Sequence, residues 1–136
     1  MKLSPYLMFN GDCAEAFKFY EQTFGGKILG LMTNGTSPMA HKTAPELKDK
    51  IMHAALLIGD VTLMGADAPP GRYEKPQGIH VTVAIATSAE SERVFAALAE
   101  KATIIMPIQQ TFWTARFGML VDRFGIPWMI NCDQPA

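Results

Sequence analysis

Residues with binding chemistry lie close together near the C-terminal end of the chain. Gln109, Gln110, Trp113 and Arg116 fall within a segment that we predict to be largely strand. An arginine beside aromatic rings suits a carboxylate or a phosphonate, because its guanidinium presents a rigid fork of donors. The alternative is a surface arginine that stacks on Trp113 or Phe117. Gln110, Trp113 and Arg116 are therefore candidate ligand-binding residues.

Three further candidates lie elsewhere in the sequence. His80 begins an apolar stretch, where an imidazole serves as a general base, as a neutral hydrogen-bond partner, or as a satisfied core histidine. Met64 is predicted to fill space in an adaptable pocket, and Trp128 is typical of either a core or a pocket. His53, in an apolar strand, is interpreted as a hydrogen-bonded, partly buried side chain, and His41 as a solvated loop residue.

Charge and motifs exclude several classes of protein. The 136 residues include 12 Lys+Arg and 13 Asp+Glu, so the net charge of -1 offers no basic face for nucleic acid. No apolar run reaches the roughly 18–20 residues that cross a bilayer. No glycine-rich loop opens a helix, which argues against a nucleotide site and against an S-adenosylmethionine methyltransferase. No signal peptide is expected, and Cys13 and Cys132 lie far apart, so a cytoplasmic protein with reduced thiols is predicted.

The elements that would position these residues follow from periodicity and turn signals. The first half predicts, in order, a strand at 3–9, a helix from 13 to 24, a strand at 27–32, a long loop at 33–49, and strands at 51–58 and 61–66. Asp12 and Glu15 form a predicted capping box, and Gly25-Gly26 ends the helix. The second half predicts a strand at 79–86, a helix capped by Thr87 and Glu90, and strands at 103–108, 111–121 and 126–131.

The two halves repeat the same order of elements. A shift of 75 positions places Ala14-Glu15 on Ala89-Glu90, and Phe19-Tyr20 on Val94-Phe95. Because a half with one helix buries a four-stranded sheet poorly, the halves are expected to pair. The sequence predicts an α+β fold in which duplicated βαβββ modules form a curved eight-stranded cup. This single domain (1–136) comprises module 1 (1–66), a proline-rich linker (67–78) and module 2 (79–136).

Six segments of the sequence match a known pattern: 5–7, 16–20, 50–54, 63–70, 110–119 and 122–131, the last reading DRFGIPWMIN. In these segments the chain resembles the vicinal oxygen chelate superfamily, which includes glyoxalase I, extradiol dioxygenases and bleomycin- and fosfomycin-resistance proteins. The resemblance is closest to the PhnB-like branch, which carries the label of a 3-demethylubiquinone methyltransferase. It implies a glyoxalase/bleomycin-resistance-like fold and a homodimer.

The resemblance also indicates where a metal ion would be held. Metal-dependent relatives use four positions, which correspond here to Pro5, about Leu63, His80 and about Ile130. Only His80 is a possible ligand, whereas a divalent ion needs at least three protein ligands. No metal and no cofactor are therefore predicted.

Three functions are consistent with this sequence. The first is a metal-free binder of a small apolar or aromatic compound with an acidic group, anchored by Arg116, Gln110 and His80. The second is a metal-dependent lyase, isomerase or dioxygenase with an altered ligand set around His80, which would then be catalytic. The third is an accessory protein whose dimer surface matters more than its cup.

Overall fold

Each half of the chain folds around one helix that packs on a four-stranded sheet. The computed structural model describes all residues from 1 to 136, in two compact units, Met1–Glu74 and Lys75–Ala136. The first unit contains β1 (Tyr6–Phe9), α1 (Cys13–Phe24), β2 (Lys27–Thr33), β3 (Ile51–Ile58) and β4 (Val61–Asp67). The second contains β5 (Val81–Ile85), α2 (Ser88–Ala99), β6 (Thr103–Gln109), β7 (Phe117–Val121) and β8 (Pro127–Cys132). The predicted α+β class and its two βαβββ modules are confirmed.

In the first unit, the sheet order is β1-β4-β3-β2, with β1 parallel to β4 and the other pairs antiparallel. One face of the sheet is covered by α1, where Phe9, Phe17 and Tyr20 are fully buried. Gly65 lets the helix approach, since a Cβ there would lie 2.9 Å from Cε1 of Phe17. Strand side chains alternate between faces, so Tyr6 and Met8 lie on the face away from α1.

The second unit repeats this topology as β5-β8-β7-β6. Its core includes Leu120, Trp128 and Ile130, all essentially buried. The turn before β8 is built on Asp122, whose Oδ1 accepts the backbone N–H groups of Phe124 and Ile126 at 2.8 and 3.0 Å. No helix of the chain is long and apolar enough to span a bilayer.

The helix ends are only partly as predicted. Gly25 adopts the left-handed conformation at the end of α1 (φ 71°), and the Thr87 hydroxyl accepts the N–H of Glu90, so both signals are confirmed. The capping box at Asp12 is wrong, because its side chain makes no capping bond to α1. The carboxylate of Asp67, distant in sequence, accepts the first N–H of that helix instead.

The predicted strand at 111–121 is too long, because β7 begins only at Phe117. Residues 111–116 form an irregular connection in which the N–H of Thr111 donates to the carbonyl of Thr114 at 3.1 Å. The buried Thr114 hydroxyl donates to the carbonyl of Cys132 on β8. This tertiary bond overrides the strand propensity of the segment. Gln110, Trp113 and Arg116 consequently lie in a connection and not in a strand.

Candidate functional site

The first unit contains a cavity of about 620 Å³ at one end of its sheet. The sheet contributes Tyr6, Met8, Ile51, Met52 and Ala66 to its walls. The connection between β2 and β3 contributes Asn34, Lys42, Thr43, Ala44, Leu47 and Lys50. The last residue of β4, Asp67, and residues 68–70 after it complete the lining. All of these residues belong to the first unit, Met1–Glu74.

The connection between β2 and β3 is ordered by bonds at its base. The N–H of Asn34 donates to the carbonyl of Lys50 and that of Gly35 to the carbonyl of Lys48, each at 2.9 Å. The Asn34 side-chain amide donates to the carbonyl of Leu47 at 3.0 Å. Three short 3-10 turns, Asn34–Thr36, Ala40–Lys42 and Pro45–Leu47, shape the rest. The segment predicted as a loop at 33–49 is thus a closed lobe that forms one wall of the cavity.

Asp67 holds the elements around the cavity together. Its Oδ1 accepts the N–H of Cys13, the first residue of α1, at 2.9 Å, and its Oδ2 accepts the N–H of Ile51, the first residue of β3, at 2.8 Å. Both carboxylate oxygens therefore bind backbone donors. Asp67 is the acidic side chain of the cavity wall, and its role here is to fix a helix and a strand in place.

The cavity also carries two cationic side chains that form no ion pair. Nζ of the half-buried Lys50 donates to the carbonyl oxygen of Gly11 at 2.9 Å. Lys42 is exposed at the end of a 3-10 turn. The salt bridges of the chain, Arg93–Glu90 and Arg116–Glu92, both lie in the second unit. Neither ammonium charge is therefore neutralised by a carboxylate of the chain.

Tyr6, which also lines the cavity, carries a hydroxyl group. Its oxygen lies 3.2 Å from Nδ1 of His53, and the two rings are 5.7 Å apart. Burial, and next the thiol of Cys13, raise the pKa of Tyr6, so the phenol stays neutral at physiological pH. His53 is hydrogen-bonded, as predicted, but it is exposed and not partly buried.

The buried thiol of Cys13 lies behind this wall. Burial is the main cause that raises its pKa, followed by the negative charges of Asp67 and Asp12. A thiol that resists ionisation is a poor nucleophile. Cys13 is therefore a core residue of the first unit.

The structure separates the candidate residues of the second half. Nε of Arg116 donates to Glu92 of α2 at 2.7 Å, and the guanidinium also donates to the carbonyl of Ala115 at 2.6 Å. Arg116 is thus paired with a carboxylate, and its role in ligand binding stays a prediction. Trp113 donates its indole N–H to Asn131 at 3.3 Å, and Gln110 is exposed.

The remaining candidates differ in their surroundings. Trp128 is 1% exposed and donates its indole N–H to Oδ2 of Asp122 at 2.8 Å, which makes it a core residue. Met64 pairs in register with Tyr6 of β1 and Ala55 of β3. His80 precedes β5, and its Nε2 is buried without a hydrogen-bond partner. The ligand-binding roles of His80, Met64, Gln110 and Trp113 stay predictions.

The residues at the metal-binding positions of the superfamily do not fit a divalent ion. Leu63 and Ile130 are apolar side chains buried in the cores of their units, and Pro5 has no donor atom. Nowhere in the chain do three or more His, Cys, Asp or Glu side chains come close enough together to hold a metal. A single imidazole at His80 does not make a metal site.

Sequence reasoning missed the two lysines. The only signal was the length and polarity of the segment at 33–49, which is typical of a functional loop but does not identify a residue. The sequence alone is consistent with Asp67 as a pocket carboxylate or as a turn former, and it favours the turn because Ala68-Pro69-Pro70 follows. Its two long-range bonds, to residues 54 and 16 positions away, leave no local pattern.

Comparison with known proteins places the chain in a family. The family model described as 3-demethylubiquinone-9 3-methyltransferase matches residues 1–131. Protein YjdN of Escherichia coli (strain K12) is 34% identical over 146 residues, covering 100% of this chain and 99% of that protein. Protein PA1353 from Pseudomonas aeruginosa, a crystal structure, is 44% identical with a TM-score of 0.91 and coverage of 98% of each chain.

Two more distant structures share the fold. The PhnB protein from Bacillus cereus is 24% identical, with a TM-score of 0.82 and coverage of 97% of this chain and 99% of that one. The fosfomycin resistance protein FosX from Listeria monocytogenes is 11% identical, with a TM-score of 0.65 and coverage of 96% and 89%. The chain therefore belongs to the 3-demethylubiquinone-9 3-methyltransferase family, a PhnB-like group with the fold of the glyoxalase-type vicinal oxygen chelate proteins.

Proposed function

We propose that this protein binds a small apolar or aromatic compound carrying one acidic group, and that the cavity of the first unit is its binding site. The observation that carries the proposal is the pair of lysines, Lys42 and Lys50, on an otherwise largely apolar wall without an ion-pair partner. Binding of this kind needs no metal ligand and no nucleophile.

The size and lining of the cavity support a compact ligand. A volume of about 620 Å³ lies within the range of roughly 300–1,000 Å³ that small-molecule sites occupy. Met8, Met52 and Leu47 provide apolar surface, and the two methionines adapt to different shapes. A ligand with one aromatic ring and a short polar group matches these walls.

The charge of the cavity supports an acid over a neutral compound. The lining residues carry two ammonium groups and a single carboxylate, that of Asp67, whose oxygens already accept two backbone N–H groups. The neutral hydroxyl of Tyr6 is one further polar group at the wall. The ligand class agrees with the sequence-based hypothesis, but the anchors proposed here are Lys42 and Lys50 and not Arg116, which is paired with Glu92.

Thermal unfolding with defined probes tests the proposal. Benzoate and phenylphosphonate are expected to raise the melting temperature of the full chain, whereas benzamide, of the same shape and without charge, raises it less. Lys42→Gln and Lys50→Gln are expected to weaken the response to the acids. Lys48→Gln is the matched control, because Lys48 is an exposed lysine of the same connection outside the cavity wall.

Two results would refute the proposal. The first is an equal response to benzoate and benzamide in the wild-type protein. The second is an acid response that survives in the double variant Lys42→Gln/Lys50→Gln, because the anion would then bind elsewhere.

A further inference from the structure

We infer that Gly11 is a positioning residue for Lys50, and that the ammonium group it holds selects the anionic group of the ligand. This inference rests on the proposed function of the cavity. It assigns unequal roles to the two lysines, with Lys50 as the selective anchor and Lys42 as a lesser contributor.

The position of Lys50 is fixed by one hydrogen bond. Its Nζ donates to the carbonyl oxygen of Gly11 at 2.9 Å, across 39 positions of sequence. An ammonium group has three donors, so two remain for a ligand. Because the side chain is already held, an anion that binds to it does not have to immobilise a flexible lysine.

Gly11 suits this role because it has no side chain. A Cβ at this position would lie 3.3 Å from Nζ and 3.7 Å from Cε of Lys50, which is tighter than ordinary contact for the ammonium group. The residue also has a φ of 94°, which residues with a side chain rarely adopt. A methyl group at position 11 would therefore require the ammonium group to shift by a few tenths of an ångström, and the strained backbone would favour a movement of the carbonyl that holds it.

The neighbouring elements keep this carbonyl in place. Gly11 lies in the short turn between β1, which pairs with β4 in the sheet, and α1. The N–H of Cys13, two residues later, is bound by Asp67 at the cavity wall. The turn and the cavity are thus fixed to the same carboxylate.

Lys42 lacks a comparable restraint. It is exposed at the end of the turn Ala40–Lys42, and the bonds of that turn are made by its backbone, as in the 3.0 Å bond from its N–H to the carbonyl of Met39. A free lysine loses side-chain entropy when it binds an anion. Its contribution to selectivity is therefore smaller than that of Lys50.

The test compares Gly11→Ala with Gly59→Ala in the full chain. Gly59, in the turn between β3 and β4, also has a positive φ (60°), but a Cβ there meets nothing within 4 Å. Both variants thus force an alanine into a positive φ, which lowers stability, and only Gly11→Ala disturbs Lys50. The readout is the ratio of the Kd of benzamide to that of benzoate, measured by calorimetry, which a loss of stability alone does not change.

The expected ratio is roughly tenfold in the wild-type protein and in Gly59→Ala, from one charge-assisted hydrogen bond. It is expected to fall to about threefold or less in Gly11→Ala and Lys50→Met, and to stay above about fivefold in Lys42→Met. A wild-type ratio in Gly11→Ala would overturn the inference.

The lysine variants keep the inference testable if Gly11→Ala does not fold. Equal losses in Lys42→Met and Lys50→Met would also overturn it. A wild-type protein that binds neither probe would instead refute the proposed function, so the two failures are distinguishable.

Discussion

Asp67→Asn tests how the walls of the cavity are held together. The carboxylate binds the N–H of Cys13 at the start of α1 and the N–H of Ile51 at the start of β3. An asparagine keeps one oxygen and replaces the other with an NH₂ group, which faces a backbone donor. The substitution therefore removes one of the two bonds and takes the charge from the other.

The magnitude follows from these two bonds. A hydrogen bond to a charged group contributes about 1.5–3 kcal/mol, and Ile51 is 3% exposed, so its N–H would have little access to water. The loss of negative charge at the helix N-terminus adds about 0.3–1 kcal/mol. The free energy of unfolding is expected to fall by about 3 kcal/mol, a large share of the roughly 5–15 kcal/mol typical of a folded protein.

Urea unfolding followed by circular dichroism measures this change. Asp60→Asn is the control, since Asp60 is an exposed residue of the turn between β3 and β4. We expect Asp60→Asn to stay within about 0.5 kcal/mol of the wild-type protein. If Asp67→Asn also stays within that margin, Asp67 does not hold the helix and the strand together.

Three further predictions concern the cores and the buried thiol. Gly65→Ala is expected to lower the free energy of unfolding by at least about 2 kcal/mol, because its Cβ would lie 2.7 Å from the carbonyl oxygen of Leu7. Gly30→Ala is the control in the same urea assay and should be neutral or slightly stabilising, because a Cβ at position 30 would meet nothing within 4 Å. Trp128→Phe is expected to lower the melting temperature by several degrees, because the carboxylate of Asp122 loses a buried hydrogen-bond donor. The corresponding loss in the free energy of unfolding is about 2 kcal/mol, and an unchanged melting temperature would contradict the prediction. The raised pKa of Cys13 means that its thiol ionises first in the unfolded chain, so stability is lost as the pH rises above about 8.5. By pH 9.5 the free energy of unfolding is expected to have fallen by about 1.4 kcal/mol, and Cys13→Ala should remove that part of the pH dependence. Equal pH profiles of the wild-type protein and Cys13→Ala would disprove this prediction.

The helices and most strands could be predicted because their signals are local. Thr87 caps α2 with an N–H three residues away, and Gly25 ends α1 through its own backbone conformation. The strand at 51–58 has its predicted bounds, since apolar residues and the turn at Gly59-Asp60 mark both of its ends. Such signals depend on only a few neighbouring residues.

The candidate site could not be predicted for the opposite reason. The bond from Lys50 to Gly11 spans 39 positions, and those of Asp67 span 54 and 16. A lysine in a polar segment has the same appearance in a sequence whether or not it faces a cavity. The partner of Arg116 leaves no local pattern either, because Glu92 lies on α2, 24 positions away.

The most direct test of the central claim is NMR of the protein with ¹³C-labelled methionine methyl groups, titrated with benzoate. Of the nine methionines, Met8 and Met52 line the cavity of the first unit. Single Met→Leu variants assign the signals. We predict that the Met8 and Met52 signals shift with a common Kd while those of Met119 and Met129, in the second unit, do not. Shifts at Met119 and Met129 with Met8 and Met52 unchanged, or no shift at saturating benzoate, would contradict the account.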